Sequence, residues 1–353
     1  MTRKLATVRR ITSLTPIPGA DKIELATVDG WNVVVQKGLY NVGDLAVYFE
    51  IDSFIPNALA PFLTKEGHYP KVYEGVNGER LKTVHLRKQR SQGLLMPLVE
   101  VTKNLEFGTY DCGVEVNLEE GADLTEVLGI LKWEPTISAQ LAGQVKGNFP
   151  SLVPKTDQER IQNLTHQLEK CKAWKGGTWS VTEKLEGSSC TMYLPVEGDF
   201  EVCSRNLSLK FSESNTFWGQ AIRYDVEAKM RRGGMEGVAI QGELVGPGIQ
   251  DNIYGLSHHD FYVFHIYDVK DGKKLGIGIR EVICEMLGLK HVPVLKYAET
   301  IDAKDTVACI LEYAEGKSLL NPKQEREGVV FECNEDTNIS WKAISNKYLE
   351  GQK

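Results

Sequence analysis

Turn residues cut the first hundred residues of this chain into runs too short for anything but β-strands. Residues 5–11, 23–28, 31–35 and 45–51 are β-branched or alternating stretches of five to seven residues. Between them stand Pro16-Ile17-Pro18-Gly19, Asp29-Gly30 and Asn41-Val42-Gly43-Asp44, each a turn by its own chemistry. Short strands at this spacing predict a small closed sheet, an OB-like barrel over residues 1–105. The basic stretch Arg80 to Gly93 follows, and its alternating polarity puts Lys82, Arg87, Lys88 and Arg90 along one groove edge or on a charged edge strand.

A chain of 353 residues has room for a second domain with its own core. Residues 106–150 read as a connecting segment, with a helix start at Asp123-Leu124-Thr125-Glu126. An amphipathic helix begins in 155–163 and runs to about residue 173. Beyond it, strands are expected at 178–184, 189–194, 200–205, 237–244, 261–269, 327–333 and 338–344, and helices at 216–232, 279–287 and 302–314. Irregular alternation of this kind indicates an α+β domain of mixed sheets over 151–353, not a doubly wound one.

Net charge is −7, which excludes a polybasic binder of nucleic acid but allows a local basic groove. The seven cysteines include no Cys-x-x-Cys pair, so reduced thiols are expected in place of disulfides or a zinc site. No apolar leader or membrane-length run is present, and a cytoplasmic monomer is the expectation.

Within the second half, Thr182-Glu183-Lys184-Leu185-Glu186-Gly187 ends a β-rich run with a lysine and places glycine three residues on. Such a spacing arises about twice by chance in a chain this long. A second instance, Lys273 to Gly276, is explained by the hairpin turn at Asp271-Gly272. The first gains weight from its sequel. Ser204-Arg205 closes a strand, Gly242-Glu243 ends another, and 260–268 is aromatic around Phe264. Glu327-Gly328 precedes a buried strand, and Trp341-Lys342 lies in the last one. Taken singly, Glu243 and Glu327 are ordinary strand-end carboxylates and Phe264 an ordinary core ring. The ordered set reverses that reading.

In this order the pieces resemble the covalent nucleotidyltransferases, that is, polynucleotide ligases and mRNA capping enzymes (ATP-grasp-like in architecture). The stretches 154–157, 248–255 and 341–347 are similar to the RNA ligase 2-like group, and 17–24 with 91–94 to the N-terminal module of Deinococcus-type RNA ligases. The resemblance implies an ATP-dependent RNA ligase that seals 3′-OH/5′-phosphate breaks in RNA repair. It implies Lys184 as the residue that takes AMP, with Glu243, Glu327 and Lys342 as its catalytic companions. It further implies nucleotide contacts from Thr182, Glu183, Leu185, Gly187, Arg205, Phe264, Val330, Lys342, Lys347 and Arg160. Mg²⁺ or Mn²⁺ is expected on Glu243 and Glu327, with Glu186 in its outer shell. RNA, in a nicked duplex, is expected against Lys82, Arg87, Lys88 and Arg90. Two positions depart from the group: Ile344 stands where a second lysine is usual, and Ser189 where asparagine is. A GTP-using guanylyltransferase of the capping type is disfavoured, since capping enzymes carry the OB domain after the catalytic one. A noncatalytic OB-fold RNA-binding protein is disfavoured by the presence of the lysine and both acids.

Overall fold

Every second residue of Ile23–Val28 and Trp31–Gln36 is buried, the period of strands with one face on a core. The two are joined by Asp29-Gly30 at φ 45° and 82°, the left-handed pair that a two-residue hairpin of this twist requires. The computed structural model describes residues 4–106, 118–133, 143–164, 176–301 and 307–351. It divides the chain into two units, Met1–Thr136 and Ile137–Lys353.

In the first unit, Ile23–Val28 lies between Ser13–Pro16 and Trp31–Gln36. Leu45–Phe49 lies between Ala6–Arg10 and Leu94–Pro97. Val8, Val47, Phe49 and Ile55 fill one core together with Leu124 and Leu128. The stretch expected to connect the units is therefore shared between them. Leu131–Lys132 pairs with Phe54 and Ser53 in the first unit, whereas Val145–Asn148 pairs with Leu207–Leu209 in the second. Asp123 starts no helix: its carboxylate accepts the Thr125 N–H at 3.0 Å and hydroxyl at 2.6 Å, which closes a local turn instead. The basic stretch forms a hairpin, Val84–Leu86 with Gln89–Ser91. Arg87 and Lys88 are its two turn residues, at φ 50° and 65°, so they sit at an exposed tip and not along a strand face. Lys82 is exposed as well, and Arg90 is half-buried.

The second unit holds two sheets. The larger runs Val145–Asn148, Leu207–Leu209, Glu201–Cys203, Ser188–Leu194, Val238–Val245, Asp260–Asp268, Lys273–Lys274, with Lys290–His291 parallel to Asp260–Asp268. The smaller runs Val294–Thr300, Thr178–Lys184, Gly328–Cys333, Ser340–Ile344. One face of the smaller sheet buries Trp179, Val181, Val329, Phe331, Trp341 and Ala343. Phe331 and Trp341 stack there at 4.1 Å between ring centroids, a contact worth about 0.5–1.5 kcal/mol beyond the area it buries. The second lysine–glycine spacing is indeed a hairpin, with Lys273 opposite Asp268 and Lys274 opposite Tyr267.

The helix expected at 216–232 is two helices, Thr216–Arg223 and Val226–Arg232, broken where Asp225 takes φ 51°. Residues 155–159 are irregular and lead into a single 3₁₀ turn, Ile161–Asn163, so the amphipathic helix does not start there. The rest of that expected helix, from residue 165 to about 173, lies outside the described residues; so do residues 302–306, and of the helix expected at 302–314 the described part is Val307–Ala314. Among the described residues no helix is long and apolar enough to cross a membrane.

Candidate active site

Lys184 is the last residue of Thr178–Lys184 and pairs with Gly328. That register sets it beside Glu327, and its Nζ donates to Glu327 Oε1 at 2.6 Å. Gly328 is in turn opposite Ile344 on the last strand, and Val330 is opposite both Thr182 and Lys342. Facing side chains of paired residues share a sheet face. Thr182, Val330 and Lys342 therefore form one row across the sheet, next to the row of Lys184, Gly328 and Ile344.

Two glycines make the approach possible. A Cβ on Gly187 would stand 2.4 Å from the Leu244 carbonyl oxygen and 2.8 Å from Cγ of Glu243. A Cβ on Gly328 would stand 2.2 Å from the Ala343 carbonyl oxygen. The glycine after the lysine is thus used to seat the turn on the strand that carries Glu243. Ser189, two residues on, is paired with Glu243, and its hydroxyl lies 2.6 Å from that of Thr156.

Glu243 is only partly exposed and is enclosed by protein. Burial pushes its carboxyl up to about 8, with Glu327 pushing the same way and Lys184, Arg205 and Lys342 pulling it down. Two carboxylates thus share a pocket with the cations Lys184, Arg205 and Lys342. Among the described residues no three His, Cys, Asp or Glu side chains stand close enough to cage an ion. The pair instead fits Mg²⁺ or Mn²⁺, which bind through one or two carboxylates and keep several waters.

The other expected residues fall in several places. Arg205 is half-exposed and paired with Asp157. Phe264 is the extra residue of a β-bulge, between His265 opposite Gln241 and Val263 opposite Gly242, a device that re-aims a side chain. It packs in the cluster that holds Leu185, Tyr254 and Tyr262. Burial raises the Glu183 carboxyl; its Oε2 accepts the Leu319 N–H at 2.8 Å, and its Oε1 is buried with no hydrogen-bond partner among the described residues. Arg160 bridges Lys342 through the backbone, and the Lys342 N–H donates to the Glu159 carbonyl at 2.9 Å.

Glu186, expected in the metal's outer shell, takes one protein hydrogen bond on each carboxylate oxygen, from Asp251 N–H and the Tyr348 hydroxyl. One expectation needs correction. Lys347 does not fill the place of a second lysine in the sheet: it is exposed on the helix Asn346–Gly351, while Ile344 occupies that place and is buried.

Sequence reading missed Tyr254 and Tyr348. Both lie within or next to stretches that carry the family resemblance, and that proximity was the available signal. It also missed a buried charge cluster behind the bulge. Arg280 Nη1 lies 2.6 Å from Glu332 Oε1, His265 Nε2 lies 3.3 Å from Glu332 Oε2, and Arg280 Nε donates to His291 at 3.2 Å.

Comparison with known proteins agrees with this geometry. A family model described as an OB-fold domain matches residues 5–98, and one described as RNA ligase matches residues 177–348. No curated protein matches in a sequence search. Among solved structures, a mutant Naegleria gruberi RNA ligase with ATP and Mn is 40% identical, with 99% of each chain covered and a TM-score of 0.83. Another, with AMP and Mn, is 40% identical over 99% of each chain at a TM-score of 0.84. The same organism's RNA ligase with PPi is 41% identical, covering 99% of this chain and 98% of that one, at a TM-score of 0.83. With both halves matched, and a 40% identical relative aligned from end to end, the chain belongs to the RNA ligase family.

Proposed function

We propose that Lys184 takes AMP from ATP, passes it to the 5′-phosphate of a broken RNA strand, and so prepares the break for attack by the neighbouring 3′-OH. The observation that carries this reading is the pairing of Lys184 Nζ with Glu327 at 2.6 Å, in the pocket where burial raises the carboxyl of Glu243. An ion-paired ammonium is no nucleophile, so Lys184 must give up a proton before it attacks. Glu327 is in hydrogen-bond reach to receive it.

The nitrogen lone pair then forms the N–P bond to the α-phosphorus, and the P–O bond to pyrophosphate breaks. In the next step the N–P bond breaks as the RNA 5′-phosphate oxygen bonds to the same phosphorus. Finally the 3′-OH bonds to the RNA phosphorus and AMP leaves. A divalent cation bound at Glu243 and Glu327 supplies positive charge, which favours the neutral amine and offsets charge on the phosphate. Lys342 adds a fixed positive charge beside the same pocket. Phe264, aimed by its bulge, is the face for the adenine ring. Thr182, Leu185 and Val330 wall the same pocket. Arg205 and Arg160 complete the set on the nucleotide's polar side.

The RNA is a nicked duplex in this proposal, and the exposed Arg87-Lys88 tip, with Lys82 and Arg90, holds its backbone. Monomeric action in the cytoplasm belongs to the same proposal; the buried thiols of Cys190, Cys203, Cys284 and Cys333 suit a reducing compartment.

The test separates the steps. Lys184→Ala should fail to join a 5′-phosphate strand in the presence of ATP, yet join a strand that is already 5′-adenylylated. Failure with the adenylylated strand, in a variant that melts like wild type, would contradict the assigned order of steps.

A further inference from the structure

The turn that follows the nucleophile is held from outside. Glu186, two residues past Lys184, is 7% exposed and is bonded to two distant parts of the chain. The Tyr348 hydroxyl, on the helix Asn346–Gly351, donates to its Oε2 at 2.6 Å. The Asp251 N–H donates to its Oε1 at 2.9 Å, and its own N–H donates to the Tyr254 hydroxyl at 2.6 Å. Both tyrosines are buried. Asp251 sits between Gln250 and Asn252, at φ 46° and 45°; non-glycine residues keep that conformation only where their surroundings impose it. On its other side the bond series returns to the site. Tyr348 N–H donates to the Ser345 hydroxyl at 3.1 Å, and Ser345 N–H donates to the Glu327 carbonyl at 2.9 Å. Lys184 is therefore gripped twice, through the turn after it and through its partner Glu327, and Tyr348 joins the two grips.

We propose that Glu186 is a positioning residue, which with Tyr348 and Tyr254 fixes the turn after Lys184. The proposal rests on Lys184 being the adenylylated residue. Each oxygen of the Glu186 carboxylate takes one short bond from the protein. Its charge is not what the grip needs, only two hydrogen-bonding atoms in the right places. A glutamine supplies both: its carbonyl oxygen accepts the Asp251 N–H, and its amide donates to the Tyr348 oxygen, which can accept.

The experiment uses the full-length protein and measures single-turnover formation of the lysyl-adenylate at saturating ATP, across a Mn²⁺ titration. Glu186→Gln should stay within about threefold of wild type in rate and leave the half-saturating Mn²⁺ concentration unchanged. Glu186→Ala and Tyr348→Phe should each lose about tenfold, the worth of one hydrogen bond in the transition state. The double variant Glu186→Ala/Tyr348→Phe should be no slower than Glu186→Ala alone, because both changes break one unit. The proposal is overturned if Glu186→Gln is as slow as Glu186→Ala and needs more Mn²⁺, which is the mark of a metal ligand. It is also overturned if the losses from the two sites multiply. Tyr348→Phe keeps the ring, so it tests the bond even if Glu186→Ala fails to fold. If wild type forms no adenylate, the functional reading fails separately, and the grip is still read by non-additive melting shifts in the same variants.

Discussion

Gly187 shows how one residue can be fixed by what it touches and not by how its backbone turns. A methyl at that position meets the Leu244 carbonyl and Glu243 Cγ at once, and overpacking of this kind costs about 1–3 kcal/mol. Gly187→Ala should lower the melting temperature and cut adenylate formation more than tenfold, because the shift it forces moves Glu243; calorimetry and a labelling assay check the two parts. Glu243 itself makes a prediction of opposite sign to the usual acidic group. Its folded carboxyl is raised from near 4.5 to about 8, chiefly by burial, so folding favours the protonated form. The stability this contributes is fully present below about pH 4.5 and is lost as pH rises through about 8. Urea unfolding from pH 5 to 9 should therefore show wild type losing stability relative to Glu243→Gln, most of it by pH 8, and a flat difference would contradict the assignment.

At the scale of the elements, the buried cluster holds the larger sheet, through His265, to the smaller one, through Glu332. Burial alone would raise the Glu332 carboxyl, but the neighbouring His265 and Arg280 bring it down to about 2. Burial, then Lys274, brings His265 down to about 4. Both shifts run in the same direction, since the unfolded chain binds more protons than the folded one as pH falls. Stability is lost through His265 as pH drops from about 6.5 to 4, and through Glu332 from about 4.5 to 2. Glu332→Gln leaves Arg280 buried without its counter-charge and should cost about 3–5 kcal/mol near neutral pH, read by denaturant titration. None of this was legible in the sequence, for Arg280 and Glu332 are 52 residues apart and neither sits in a motif. What was legible had a local cause. Thr178–Lys184 was read to the residue because apolar and β-branched side chains end at a charged pair. Lys184, Glu243, Glu327 and Lys342 could be named from the sequence because their order along the chain is itself a signal. The break at Asp225 and the left-handed Arg87-Lys88 turn were missed because tertiary context, not local preference, selects those conformations.

For the molecule as a whole, the proposal assigns the RNA contacts to the OB-fold unit, and the boundary of that unit at residue 136 sets how this is tested. A deletion at residue 100 would remove strands and leave behind Leu124 and Leu128, which fill the same core, so substitution at the hairpin tip is the cleaner probe. Arg87→Asn with Lys88→Gly installs the preferred turn pair and removes two charges. Nick sealing by this variant should weaken at moderate salt and show a salt slope shallower by about 1.4–1.8, while lysyl-adenylate formation stays unchanged. The assignment of the chemistry rests on a single bond between Lys184 and AMP. Incubation with α-labelled ATP and Mn²⁺, followed by denaturing electrophoresis, reads that bond. The account predicts label on the wild-type chain, none on Lys184→Ala, and none from labelled GTP; label retained on Lys184→Ala, or absent from wild type, would contradict it.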